Sequence, residues 1–500
     1  MKHPMILKKQ TLAIAAVALA AFLLTGCAGP AGGAGTAGER AAGAGGEAGQ
    51  TAGAGAAAGQ AAGAGAAAGQ AAGAGGEAGL TAGAGAAAGQ AGQEAGVKGA
   101  AAKPSGRTAL TGQPIRIGAI YALSGNNAAI GTNILRGIDF AAEDINAAGG
   151  VDGRPIEIIR GDTQGDEEVA RAVAKRLITE EQVHAIVGCH QSTLTEIVAE
   201  VCEEYHIPMI TAISTVDSIS THHNEYFFRL CPMNSLYLEN MFMYMKEQAE
   251  QTGKEVKTIA VFADNSMIGQ EAIRCARIYA PQYGMEIVKE IQYGQGAADL
   301  TDEILELKAA DADAVLAESY VSDASLLMRT MYEQNYRPPI LIAKANGFAD
   351  PSFIPATRGM SEGVTSVVEW NPDMTKGQEI NRRFKEIFGV DMNGHSAESY
   401  TAVWTFKTAF EQAGTDDGET VKDVLTKIDI RESFPDGPEI ILPYDRIKFE
   451  DHEFDGVRHY HNNIYASVAI AQIQDGEYKT VWPFEYSNQR IEYPAGYENR

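Results

Sequence analysis

The feature that most constrains this chain is an alternation of short apolar runs with helical patterns, repeated twice. From Pro114 the sequence predicts a strand over 115–121, then a helix carrying Ile134, Ile138, Ala141, Ala142 and Ile145, stopped by Gly149-Gly150. Strand 156–159, helix 167–179, strand 185–187, a helix over about 193–204 and strand 208–211 follow. After a break the pattern resumes with strand 258–263, helix 269–283, strand 285–291, helix 300–308, strand 314–317, helix 322–334 and strand 339–342. Strands that alternate with helices of this length build parallel sheets covered on both faces. Two runs, each too long for half a sheet, predict an α/β chain with two lobes of about 200 residues each. The last stretch, 439–484, alternates apolar and polar residues, as in Ile464 to Ile470, and reads as antiparallel edge structure.

The first 110 residues do not belong to that pattern. Lys2, Lys8 and Lys9 precede an apolar run from Thr11 to Leu24, about 21 Å long as a helix against the ~30 Å of a hydrocarbon core. A basic start and a short apolar run read as an export signal over 1–26. Leu24-Thr25-Gly26-Cys27 looks like a bacterial lipobox, which makes Cys27 the expected lipidation site. At about 0.8 kcal/mol per buried CH₂, two or more acyl chains would hold the protein stably at the membrane. The expected location is the outer face of the cell membrane, towards the periplasm or the exterior.

From Ala41 a ten-residue repeat of alanine and glycine runs on with almost no larger apolar side chain. Each glycine costs about 1 kcal/mol in a helix, and nothing here offsets the entropy of ordering. Residues 27–108 therefore read as the lipidated cysteine followed by a tether, with an r.m.s. span of about 50 Å. The formal charge of −25 argues against nucleic acid as a partner and against docking on anionic lipid through a basic patch.

Ala122-Leu123-Ser124-Gly125, the helix end Ile145 to Gly150 and Asp152-Gly153-Arg154-Pro155 together resemble the opening of a known family. It is the leucine/isoleucine/valine-type solute-binding proteins of ATP-binding-cassette (ABC) importers. Asp162, Ile186-Val187-Gly188, Ser192-Thr193, Phe228-Arg229 and Ser399 to Val403 continue the resemblance, which covers about 115–485. It implies a two-lobed clamp of the type I periplasmic-binding-protein fold, joined by about three crossovers near 231–234, 364–368 and 455–463. Residues 114–231 with 367–455 would form the N-terminal lobe, and 232–366 with 456–490 the C-terminal lobe.

In open α/β sheets ligands sit at the carboxyl ends of the strands, near helix N-termini that favour anions. Ser192 and Thr193 follow one strand end and Ser214 and Thr215 the next. Either pair also fits plain helix capping or turn chemistry. The resemblance implies that they hold a ligand carboxylate, with Gln191 and Ile213 as neighbours and Ser124 at the first strand end. From the other lobe it implies Tyr320, Ile268 and Asn346. Many amino-acid-binding relatives have a carboxylate at the last position to pair with the ligand's ammonium group. Here a neutral amide forfeits the charge-assisted part of that bond. Either Glu318 or Asp323 substitutes, or the ligand lacks an ammonium group.

Cys189-His190 and Cys202 with His206 superficially match metal-ligand spacing. A helix separates the two cysteines by ~15 Å, too far for a shared metal or for a disulfide. No metal or cofactor is expected; Cys202 and Cys275 read as buried apolar residues, and a pairing that involves Cys231 stays open. No dinucleotide fingerprint, Walker A sequence, nucleophile elbow or H-E-x-x-H occurs, so catalysis is not expected. The expected function is capture of a small polar or amphipathic solute (an amino acid, or a related carboxylate or amide) by a monomer that delivers it to ABC permease subunits. A ligand-sensing receptor that presents its closed clamp to a membrane signalling protein would show the same folded part.

Overall fold

The computed structural model of the protein describes residues 112–350 and 352–493, without the side chains of Asn126, Ala345 and Asn346. The expectations for 1–108, Cys27 included, lie outside these residues.

The first sheet has five parallel strands: β1 (Ile115–Tyr121), β2 (Ile156–Asp162), β3 (Ala185–Gly188), β4 (Met209–Thr211) and β5 (Phe227–Arg229), laid out in the order β5-β4-β3-β1-β2. β1 lies between two neighbours, with Ile117 in register with Ile158 on one side and Ala185 on the other. A strand in that position is buried on both faces and needs an almost continuous apolar run. Ile117, Ala119 and Tyr121 face one core, with Ile134, Ile138 and Phe140 of helix α1 (Ala128–Ala148). Ile120 faces the other core, with Leu177 of α2 (Glu167–Thr179) and Val198 of α3 (Ser192–Tyr205).

The second sheet repeats the plan. β6 (Thr258–Asp264), β7 (Glu286–Tyr293), β8 (Ala314–Glu318), β9 (Ile340–Ala343) and β10 (Thr365–Val368) run parallel in the order β10-β9-β8-β6-β7. Helices α4 (Asn234–Glu247), α5 (Ala249–Thr252), α6 (Met267–Gln282), α7 (Thr301–Ala310), α8 (Val321–Glu333), α9 (Ala345–Phe348) and α10 (Phe353–Thr357) belong to this half of the chain. The chain then returns to the first lobe as α11 (Gln378–Phe388), α12 (Gly394–Ala413) and α13 (Gly418–Leu425), whose Phe384, Tyr400 and Leu425 enter the same core as α1.

Beyond the short pair β11 (Ile430–Arg431) and β12 (Arg446–Ile447), two hairpins extend the sheets. β13 (Phe449–Phe454) and β14 (Val457–Asn463) pair antiparallel with each other and join the first sheet beside β5, to which β14 runs parallel rather than antiparallel as expected, with Asn462 paired to Arg229. β15 (Ala469–Gln474) and β16 (Glu477–Trp482) join the second sheet beside β10. The sheets therefore change over at 230–233, 369–377 and 464–468.

Two expected boundaries differ from this. The division at 455/456 falls in the Asp455-Gly456 turn of a hairpin whose strands both belong to the first sheet. Both turn residues have positive φ, 53° and 73°, and Asp-Gly is itself a two-residue hairpin signal. The division at 367 falls inside β10, a strand of the second sheet. Cys189, Cys202, Cys231 and Cys275 are all free and buried, so the open pairing of Cys231 is not made among the described residues. Among those residues no helix is long and apolar enough to cross a membrane.

Candidate functional site

Both sheets end their parallel strands near the crossovers, so each lobe contributes one rim of strand ends. On the first lobe, Ser124 is exposed just after β1. Its amide and that of Leu123 reach Asp162 Oδ1, the end of β2, at 3.3 and 2.8 Å. Burial opposes ionisation of Asp162, but hydrogen bonds from Ser124, Gln164 and Leu123 outweigh it and hold the carboxyl below its usual range.

After β3 the chain runs through Cys189, His190 and Gln191 into α3. Gln191 occupies the N-cap position without a side-chain cap bond, and its Oε1 is buried without a partner. The free amides of the α3 first turn, at half-buried Ser192 and exposed Thr193, suit an anion. His190 beside them is held neutral, its pKa lowered to about 4 by burial and by His395.

The loop after β4 departs from the expectation at one residue. Ser214 is 1% exposed and its hydroxyl is spent inside the lobe. It donates to Cys189 O at 3.0 Å and shares a 2.5 Å hydrogen bond with Thr195, which itself reaches Gln191 O at 3.0 Å. Ser214 thus ties the β4 loop to the β3 loop instead of facing the rim. Ile213 is buried beside it, and Thr215 is half-buried, its carbonyl accepting from the Asn234 amide at 2.7 Å.

On the second lobe, half-buried Ile268 lies in the first turn of α6 beside Met267, which is 70% exposed. Ser266 caps that turn by accepting from the Gly269 amide. Tyr320 is 36% exposed at the N-cap position of α8. Asn346 lies in α9, which packs directly against Tyr320. A Cβ on Gly347 would fall 2.3 Å from Ser319 O and 2.7 Å from the Tyr320 carbonyl carbon, so only glycine permits the approach.

Behind this rim runs a buried polar seam. Lys344, 4% exposed, closes β9; its Nζ donates to Asn234 Oδ1, lies 3.9 Å from Glu318 Oε2 and sits 5.6 Å over the Tyr237 ring. Tyr237 OH donates to Glu369 Oε1 at 2.9 Å, which links α4, just after the first crossover, to the second crossover. Asn234 Nδ2 donates to Glu271, so one asparagine joins both lobes through its backbone and its side chain. Sequence reasoning passed over Lys344, Asn234 and Asp264. A signal was present: Asp264 and Glu318 end the apolar runs of β6 and β8, and Lys344 follows the apolar run of β9, positions that charged residues seldom occupy unpaired.

A family described as periplasmic binding protein matches residues 114–456. Leu/Ile/Val-binding protein homolog 7 of Brucella suis is 28% identical over 390 residues, covering 76% of this chain and 94% of that protein. Among solved structures, an ABC transporter substrate-binding protein of Desulfitobacterium hafniense in complex with Leu aligns with a TM-score of 0.61 at 19% identity, over 73% of this chain and 99% of that one. A branched-chain amino acid transporter substrate-binding protein of Streptococcus pneumoniae in complex with isoleucine aligns at 0.57 and 21% identity, over 73% and 97%. At these identities the solved structures bear on the fold alone, and it is the two-lobed type I arrangement.

Proposed function

The chain belongs to the periplasmic binding protein family, and from that premise we propose that it captures a small amphipathic solute, of the branched-chain amino acid kind, for delivery to the permease of an ABC importer. One observation supports this reading: each sheet ends its parallel strands near the crossovers, and the two sets of strand ends carry complementary chemistry. The first lobe offers the open N-terminus of α3, with Ser192 and Thr193, for a carboxylate. The second offers Tyr320, Ile268 and the exposed Met267 for an aliphatic body. Gln191, Ile213 and Thr215 complete the first wall, and Asn346 lies on the second.

The mechanism follows from three strands of chain that join two rigid sheets. Solute settles on one rim, the lobes turn about 230–233, 369–377 and 464–468, and the second rim shuts water out. Docking on the permease would reopen the lobes and release the solute. The protein works as a monomer without catalysis, held to the outer face of the membrane through a lipid on Cys27. The acidic chain and its alanine/glycine tether fit a folded part that searches near the membrane surface without being drawn onto it by charge.

A thermal-shift screen across aliphatic amino acids, their keto acids and their amides tests the reading. A ligand at 100 times its Kd adds about 2.7 kcal/mol, which moves the midpoint visibly. No stabilisation by any of these compounds would count against it. For the anchor, Cys27→Ala should shift the protein from the membrane to the soluble fraction, and unchanged retention would remove that part.

A further inference from the structure

Resting on the solute-binding reading, we infer that Asp264 and Glu318 form the pocket for a cationic group of the solute, an α-ammonium, in place of a carboxylate at position 346. The two residues close adjacent strands: Ala263 pairs with Glu318 between β6 and β8, and Asp264 comes next. They are 1% and 3% exposed, and each keeps one buried oxygen, Asp264 Oδ2 and Glu318 Oε2, without a hydrogen-bond partner. A buried carboxylate oxygen left unbonded is costly, and two of them at the ends of adjacent strands, beside the rim, are suited to a cation that binds there.

The alternative acid, Asp323, is already satisfied. Its Oδ2 accepts from the Gly296 amide at 2.9 Å and its Oδ1 from Ser322 Oγ at 3.1 Å. Lys344 does not fill the role either. Its Nζ is drawn to Asn234, and at 3.9 Å it is beyond hydrogen-bond reach of Glu318. Glu271, the third acid near Lys344, lies 3.6 Å from Arg274, so Asp264 and Glu318 are left with Lys344 as their cation and one formal negative charge over, which one ammonium balances. The pair lies beside the rim, since the Tyr320 phenol, after burial, is raised by the charges of Asp264 and Glu318.

Glu318 is held at about 7 by burial, which the cation of Lys344 opposes and Asp264 and Glu271 reinforce. Around it stand Asp264 from β6, Glu271 from α6, Lys344 from β9 and Tyr320 before α8. An arriving ammonium takes the place of the proton on Glu318, and the proton passes to the buffer. Binding near pH 7 therefore releases a fraction of a proton.

Calorimetric titration of the purified protein with leucine, isoleucine and valine, each against its des-amino analogue, tests this. The wild type should prefer each amino acid by about 100-fold, and Glu318→Gln should cut that preference to about tenfold or less. Asp323→Asn should keep it. Titration in buffers of different ionisation enthalpy should show proton release by the wild type, a readout that needs no variant to fold. Equal binding of the des-amino acids, an unchanged preference in Glu318→Gln, or no proton release between pH 6 and 8 overturns the inference and leaves the solute-binding reading standing. Failure of both compound classes to bind overturns that reading and the inference together.

Discussion

Arg274 of helix α6 donates to Asp455 Oδ2 at 2.7 Å, so a side chain of the second lobe grips the hairpin tip of the first. The same guanidinium lies 3.7 Å from Asp217 and 5.3 Å from the Phe454 ring centre, and Phe454 stacks on Tyr279 at 5.6 Å. The hairpin belongs to one sheet and the helix to the other, which makes this contact a brace across the crossovers. Arg274 is part-exposed, so solvent screening limits the brace to about 1 kcal/mol or roughly fivefold in the equilibrium between lobe arrangements. Arg274→Ala should widen the small-angle scattering profile of the unliganded protein, and high salt should do the same to the wild type. Identical profiles would show that the brace does not hold the lobes.

Stability should fall on both sides of a plateau in mildly acidic solution. Glu271 and Glu318 are raised to about 7, chiefly by burial, so the folded protein keeps protons that the unfolded chain loses above about 4.5. Stability is then full below about pH 4.5 on their account and declines through pH 7, by about 1.4 kcal/mol per unit for each group. His190 and His452 are lowered to about 4, chiefly by burial, and act in the opposite sense. Below about 6.5 the unfolded chain takes up protons that these imidazoles refuse, so stability also falls towards pH 4. Between about pH 4.5 and 6.5 the two pairs offset each other, so urea midpoints from pH 4 to 8 should show a plateau there, and Glu318→Gln should make stability rise with pH across it. A plateau that stays level in that variant would remove Glu318 from the account.

Ser214 and Ser192 should separate stability from binding. The Ser214 hydroxyl is buried between Thr195 and Cys189 O, so Ser214→Ala should cost about 1–3 kcal/mol in a denaturant titration. Ser192→Ala should leave the midpoint within about 0.5 kcal/mol and weaken binding of a carboxylate solute. A reversed pattern would return Ser214 to the rim.

Gly137 should tolerate nothing larger. α1 and α12 pack so closely that a Cβ there would lie 2.2 Å from the Ser396 carbonyl oxygen, which as helix backbone cannot step aside. Gly137→Ala should lower stability by about 1–3 kcal/mol, and a midpoint equal to the wild type would show that the helices can separate without cost.

Local chemistry is written in the sequence and long-range pairing is not, and this protein divides along that line. Apolar runs, helical spacing and glycine stops fixed the first four parallel strands of each sheet, because each depends on neighbours within a few residues; β5 and β10, three and four residues long, carry too short a pattern to be read as strands. The same order placed Ser192 and Thr193 at a helix start and Tyr320 at a strand end. Which sheet the last hairpins join was not readable, since Val457–Asn463 would suit either free edge and meets β5 more than 200 residues back along the chain. The inward turn of Ser214 was likewise decided by a partner, Thr195, on another element. So was the seam of Lys344, Glu318 and Asn234, three residues that mean little apart. Burial takes them out of water together, and only the packed fold sets which charge answers which.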